Sequence, residues 1–256
     1  MNYGLSFIAD KELFNHVRET VERYRFKIDL SDFNKNLVDP IKLTFDAKVY
    51  SRDIEEVVED EIIRQLDKSN TNHIGYFHQN IFKHLGGSKW TVPDEGYDVV
   101  NEEENIYVEM KNKHNTMNSS SSQKTYMRMQ NTLIHNPNAT CLLVEAIAKN
   151  SQNIEWSTTV EKVKVSSPRI RRVSMDKFYE MVTGDKNAFR NLCQVIPKVI
   201  EDVVAKIKEE DIARTGEERQ RLNTVLEELT DISPNLMKSL YLFTFNKYEG
   251  FEKFDV

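Results

Sequence analysis

The sequence predicts an α/β fold, a mixed β-sheet flanked by helices, with helical elaborations at the N- and C-terminal ends. Three observations carry that reading. Apolar residues recur at helical spacing through the first third of the chain. Short runs of strand length, alternating or continuously apolar, fill the middle. Beyond Met175 the pattern turns helical again.

Taken in order, Leu13, Phe14, Val17 and Val21 mark one helix face, and Ile54, Val57, Val58, Ile62 and Leu66 mark a second. A third helix is predicted from about 72 to 85, stopped by Gly86-Gly87. Two strand-like runs follow, GYDVV (96–100) and IYVEMKN (106–112), separated by NEEEN. Ser120 and Gln123 read as an S-x-x-Q capping box opening a helix that Asn136-Pro137-Asn138 breaks. TCLLVEAIA (140–148) is apolar without interruption, as a central strand covered on both faces requires. VKV and IRRV look like further strands. Helices are then predicted over MDKFYEMV, 188–210, 217–229 and 235–248, and the acid-rich stretch 201–231 reads as a solvated face.

Composition narrows the class. At 256 residues, 39% hydrophobic and 30% charged, the chain is long enough for a sizeable core and ordinary for a globular protein. A net charge of −6 excludes a uniformly basic coat protein but leaves room for a local basic patch. Cys141 and Cys193 lie in apolar stretches and predict buried thiols rather than metal ligands. Trp90 and Trp156 read as packing residues. The N-terminus lacks a basic segment followed by an apolar one, and no apolar run approaches the ~18 residues of a membrane span. The expectation is a soluble, cytoplasmic protein with no membrane partner.

A four-residue loop over 102–105 would pair Asn101 with Ile106 and set Asp98 opposite Glu109. Opposed side chains on one sheet face have Cβ atoms about 4.5–5.5 Å apart. Lys111 falls on the same face, while Val108 and Met110 point into the core. Two like charges on an exposed strand face need a compensator, and a divalent cation is the obvious one. Asp98, Glu109, the Met110 backbone carbonyl and waters make a hard oxygen site suited to Mg²⁺. Lys111 would sit beside the attacking water. The spacing D-x(10)-E-x-K is common by itself, and a one-residue slip would separate the carboxylates.

The context strengthens it. From Lys111 to Val144 there is no Asp or Glu, where about five would be expected from 41 acids in 256 residues. That stretch carries the side chains that bond phosphates and base edges: Asn112, Lys113, Asn115, Thr116, Asn118, Ser119, Ser120, Ser121, Ser122, Gln123, Lys124 and Arg128. A helix start near Ser120 would add backbone N–H groups facing an anion. A second basic cluster, Lys162, Lys164, Arg169, Arg171 and Arg172, reads as a candidate DNA arm.

The arrangement G-Y-D-V … V-E-M-K-N-K resembles the PD-(D/E)xK nuclease core, with Asp98, Glu109 and Lys111 as its signature residues. It departs from the strict form in that Tyr97, not proline, precedes Asp98. Asp94 of the upstream Pro93-Asp94 is a competing, less well-placed acid. NHIGYFHQNIF with VEMKNKHNTMNSSSSQKTYMRMQNTLIHNP resembles, more narrowly, the type II restriction endonucleases that cut GGNCC sites, over about residues 1–205. That resemblance implies Mg²⁺-dependent hydrolysis of double-stranded DNA by a homodimer, with 5′-phosphate and 3′-hydroxyl ends. It also implies a cognate DNA methyltransferase in the same system, without a stable complex.

By analogy with this core, a helix before the first catalytic strand lends a polar group to the site, which nominates Gln79 as a catalytic residue. Glu61, intruding on an apolar helical stripe, is a further candidate metal ligand. The expected organisation is a single endonuclease domain over 1–256, with a catalytic core at about 53–175 and a helical region at about 176–256. The rival readings are a repair or structure-specific nuclease on the same core, and a non-catalytic DNA-binding protein.

Overall fold

The computed structural model describes residues 2–25, 28–85, 87, 89–114, 116–211 and 224–244. The chain divides into two compact units, Met1–Glu22 with Ile74–Lys208, and Arg23–His73 with Glu209–Val256.

The first unit is built on a five-stranded sheet. Its strands are β1 (Val99–Asn101), β2 (Ile106–Lys113), β3 (Thr140–Ile147), β4 (Asn153–Val160) and β5 (Val163–Ser174). Their spatial order is β1-β2-β3-β5-β4. The β1–β2 and β4–β5 pairs are antiparallel hairpins, whereas β2–β3 and β3–β5 are parallel, which gives the mixed sheet the sequence predicts. β3 is central, and its residues from Cys141 to Glu145 are buried.

Alternation along these strands splits the core in two. Val108, Met110, Leu142, Val144 and Val173 face one side, together with α1 (Asp10–Arg23), α6 (Met175–Thr183) and α7 (Ala188–Asp211). Cys141, Leu143, Ile170 and Trp156 face the other, against Tyr126 and Met129 of α5 (Ser119–His135). Trp90 packs in the first cluster and Trp156 in the second, both as expected.

Three local expectations are corrected. No break separates the second and third predicted helices: α4 (Ile54–Asn80) runs for 27 residues and ends in a 3₁₀ turn at Ile81–His84. The polar stretch between them contains no proline, so every N–H remains available to the helix ladder. The cap of α5 is Asn118 rather than Ser120; its side-chain oxygen accepts the Ser121 N–H at 2.8 Å, two residues earlier than a capping box at Ser120 would start the helix. Cys193 is exposed while Cys141 is buried, because Leu192, Val199 and Val203 form the inward side of α7.

The second unit is helical: α2 (Leu30–Asn34), α3 (Pro40–Tyr50), the first part of α4, α8 (Thr224–Ile232) and α9 (Leu236–Thr244). Phe33, Leu43, Val58, Ile62, Leu229 and Leu240 are at its core. Asp29 and Asp39 cap α2 and α3, and Pro40 occupies a first-turn position where its missing N–H costs nothing. The parts of the predicted C-terminal helices at 217–223 and 245–248 lie outside the described residues. Among the described residues, no helix is long and apolar enough to cross a membrane.

Candidate active site

The β1–β2 register is the one a four-residue loop dictates: Val99 opposes Val108, Val100 opposes Tyr107 and Asn101 opposes Ile106. Asn105 closes the loop in the left-handed region, at φ 55°, and the Asn101 side chain accepts the Glu104 N–H at 3.1 Å. The paired ladder ends at Val99: Asp98, one residue before β1, donates its N–H to the carbonyl of Val108, the residue already opposite Val99, at 2.9 Å. Its carboxylate accepts the Met110 N–H at 2.7 Å. Lys111 donates to Glu109 Oε1 at 2.7 Å. The structure therefore brings Asp98, Glu109 and Lys111 together at one end of the hairpin, and the Met110 backbone lies between them.

The surroundings differ from the expected exposed face. Glu109 is only 9% exposed, beneath α5. Its charge has a second partner: Arg128 on α5 donates through Nη2 to Glu109 Oε2. The same guanidinium donates to the Gly96 carbonyl at 2.9 Å and lies over the Tyr97 ring, 4.6 Å from its centroid. Tyr97, standing where the strict motif has proline, thus supports a cation; its hydroxyl bonds Thr132 at 2.8 Å. Two carboxylates and two cations leave the cluster neutral. Desolvation, followed by the neighbouring Glu109 charge, pushes the Asp98 carboxyl above its usual range, against the opposing pull of the Met110 N–H, Lys111 and Arg128.

No group of three His, Cys, Asp or Glu side chains converges on a common point among the described residues. A cation here would be held by two carboxylates, backbone and water, a donor set that fits Mg²⁺, which keeps several waters and takes one or two carboxylates. The strained Asp98 charge is the kind that such an ion relieves.

The other candidates are distributed as follows. Glu61 belongs to the helical unit, where Arg64 and Gln65 bind its carboxylate. Although burial raises its carboxyl, those bonds hold it below the usual range. Gln79 is half-buried in the last turn of α4, and no hydrogen bond joins it to Asp98 or Glu109. The Asn112 side chain packs 3.6 Å from where a Cβ on Gly75 would lie. Lys113 and Lys124 are exposed, Gln123 is half-buried, and Asn115 lies outside the described residues. Thr116 bonds the Lys113 carbonyl at 2.8 Å. Ser119, Ser120 and Ser121 form the first turn of α5, and Ser122 bonds Thr158 at 3.1 Å.

The arginines of β5 are held locally. Arg169 donates to the Asn138 carbonyl at 3.0 Å and Arg171 to Asn153 Oδ1 at 2.6 Å. Arg172 belongs to a cluster that the sequence reading missed. Glu145 on β3, 1% exposed, accepts Arg172 Nε at 2.8 Å and bonds His114 Nδ1 at 3.0 Å. Arg172 also donates to the His114 carbonyl at 3.2 Å, so one buried carboxylate ties β5 to the end of β2 across β3. The available signal was that Glu145 is the first acid after the acid-free stretch and the lone acid in an apolar strand.

Comparison with known proteins bears on this geometry. The family model for the Eco47II restriction endonuclease matches residues 5–205. The type II restriction enzyme Sau96I of Staphylococcus aureus is 32% identical over 212 residues, covering 78% of this chain and 81% of the relative. The type II restriction enzyme Eco47II of Escherichia coli is 29% identical over 215 residues, covering 79% and 89%. The chain belongs to the Eco47II restriction endonuclease family and is a type II restriction enzyme, a site-specific deoxyribonuclease.

Proposed function

We propose that the protein hydrolyses double-stranded DNA with Mg²⁺ at an interrupted palindrome of the GGNCC type, acting in the cytoplasm as a homodimer. One observation carries the chemistry: Asp98, Glu109 and Lys111 converge at the end of the β1–β2 hairpin. Asp98, Glu109 and the Met110 carbonyl would hold the metal, which when bound supplies Lewis-acid stabilisation of the charge that builds on the phosphate. Lys111 positions the attacking water and adds positive charge beside the phosphate. The water oxygen bonds to phosphorus, the bond to the 3′ oxygen breaks, and that oxygen takes up a proton. The products are a 5′-phosphate and a 3′-hydroxyl.

Lys113, Lys124 and the first turn of α5 would hold phosphates, next to the strand that carries Glu109. Two chains related by a two-fold axis match a palindrome's two half-sites. The host's own sites would be protected by a DNA methyltransferase acting separately. The test is incubation of plasmid DNA with the protein and Mg²⁺, followed by sequencing of the ends. Discrete fragments ending within GGNCC sites support the proposal. Smears or nicks favour a repair nuclease, and a mobility shift without cutting favours a DNA-binding protein.

A further inference from the structure

Both oxygens of Glu109 are already engaged, Oε1 by Lys111 and Oε2 by Arg128. A divalent ion that uses this carboxylate meets a cationic donor at either oxygen and is opposed by its charge. Arg128 is the one built to yield. Its guanidinium has two seats independent of Glu109, the Gly96 carbonyl at 2.9 Å and the Tyr97 ring at 4.6 Å, so it can leave Oε2 without leaving the site. Its Nε is buried without a hydrogen-bond partner, which leaves donor capacity for another acceptor. Lys111, by contrast, is anchored two residues from Glu109 on the same strand and face.

We propose that Arg128 is a stand-in cation: it competes with the divalent metal for Glu109 Oε2 and weakens metal binding until DNA phosphate takes over the guanidinium. The inference rests on the reading of Asp98 and Glu109 as metal ligands. It follows from charge. With Arg128 in place the cluster is neutral. A divalent ion added to it leaves two cationic side chains beside two new positive charges, and that excess is relieved only by phosphates. Metal and DNA therefore bind with positive coupling, and Arg128 carries part of it.

The experiment is calorimetric titration of Ca²⁺ into the DNA-free protein, comparing wild type with Arg128→Gln, Lys124→Gln and the double variant Asp98→Asn/Arg128→Gln. The proposal expects Arg128→Gln to bind Ca²⁺ roughly tenfold more tightly, the equivalent of one charged hydrogen bond removed from competition. Lys124→Gln removes an equal charge from the same helix without touching Glu109 and should change affinity far less. Equal or weaker binding by Arg128→Gln, or equal tightening by Lys124→Gln, overturns the proposal. If Asp98→Asn fails to weaken the binding seen in Arg128→Gln, the metal-site reading itself has failed. Should Arg128→Gln not fold, Tyr97→Leu removes one of the two seats to which the guanidinium retreats and should weaken Ca²⁺ binding; unchanged or tighter binding there overturns the proposal.

Discussion

Glu109 and Arg128, separated by 19 residues, are joined by an ion pair that runs from β2 to the middle of α5. The pair fixes the helix that follows the hairpin against the sheet. It also changes the electrostatics of the site, because the carboxylates are neutralised before any metal arrives. The consequences are testable one residue at a time.

Removing Glu109 should destabilise the protein rather than relieve repulsion. Glu109→Ala leaves Lys111 and Arg128 with the Asp98 carboxylate as their one neighbouring acid, at a cost of about 1–3 kcal/mol after allowing for the partial exposure of Arg128. Glu109→Gln keeps an acceptor and should lose less. Denaturant melts in chelator measure both, and an unchanged midpoint for Glu109→Ala contradicts the ion-pair reading.

Asp98 should behave in the opposite sense. Its carboxyl is raised above the ordinary aspartate range in the folded state, so its charged form is penalised there. That penalty is present at pH above the raised value and disappears as pH falls below the unfolded value. Asp98→Asn, which still accepts the Met110 N–H, should therefore be more stable than wild type at neutral pH, with the advantage vanishing in acid. Denaturant midpoints across pH decide the matter; an advantage that grows in acid contradicts it. Wild-type cleavage should decline as pH falls through the same raised value, because a protonated Asp98 no longer binds a cation.

The Glu145 cluster should be structural and costly to break. Glu145→Ala leaves Arg172 and the end of β2 without their shared partner inside the sheet, which predicts a loss of about 3–5 kcal/mol. Arg171→Ala, which removes exposed bonds to Asn153, should cost under about 1 kcal/mol. Similar losses in urea melts would mean that Glu145 is not the tie between β2 and β5.

Lys113 and Lys124 should act as phosphate anchors. Replacing either with alanine should weaken cognate and mismatched duplexes alike and lower the salt slope of binding by about one unit. Unequal effects on the two duplexes would assign that lysine to base reading instead.

Much of this architecture was legible in the chain because its signals are local. The loop length set the hairpin register over Val99–Asn101 and so brought Asp98 to the end of the strand that carries Glu109, and the apolar run at 140–147 announced the central strand. What escaped depends on contacts distant in sequence. Arg128 was read only as a DNA-contacting residue, since its own stretch contains no acid; the acid that pairs with it lies on another element. Glu145 looked like part of an apolar strand until His114, just past the end of β2, and Arg172 on β5 supplied its partners. α2 and α3 left no long apolar stripe, since α2 is 5 residues long and α3 exposes Phe45 and Val49 opposite its buried Leu43 and Ala47.

The central claim is that Asp98, Glu109 and Lys111 form the catalytic centre. Its most direct test is the single-turnover rate of cutting a duplex containing one GGNCC site, at saturating protein and Mg²⁺. Wild type is compared with Asp98→Asn, Glu109→Gln and Lys111→Gln, with folding checked by melting. Each variant should bind the duplex yet cut at least about 10³-fold more slowly, a loss of ~4 kcal/mol of transition-state stabilisation. A folded variant that cuts within about tenfold of wild type would remove that residue from the centre and contradict the account.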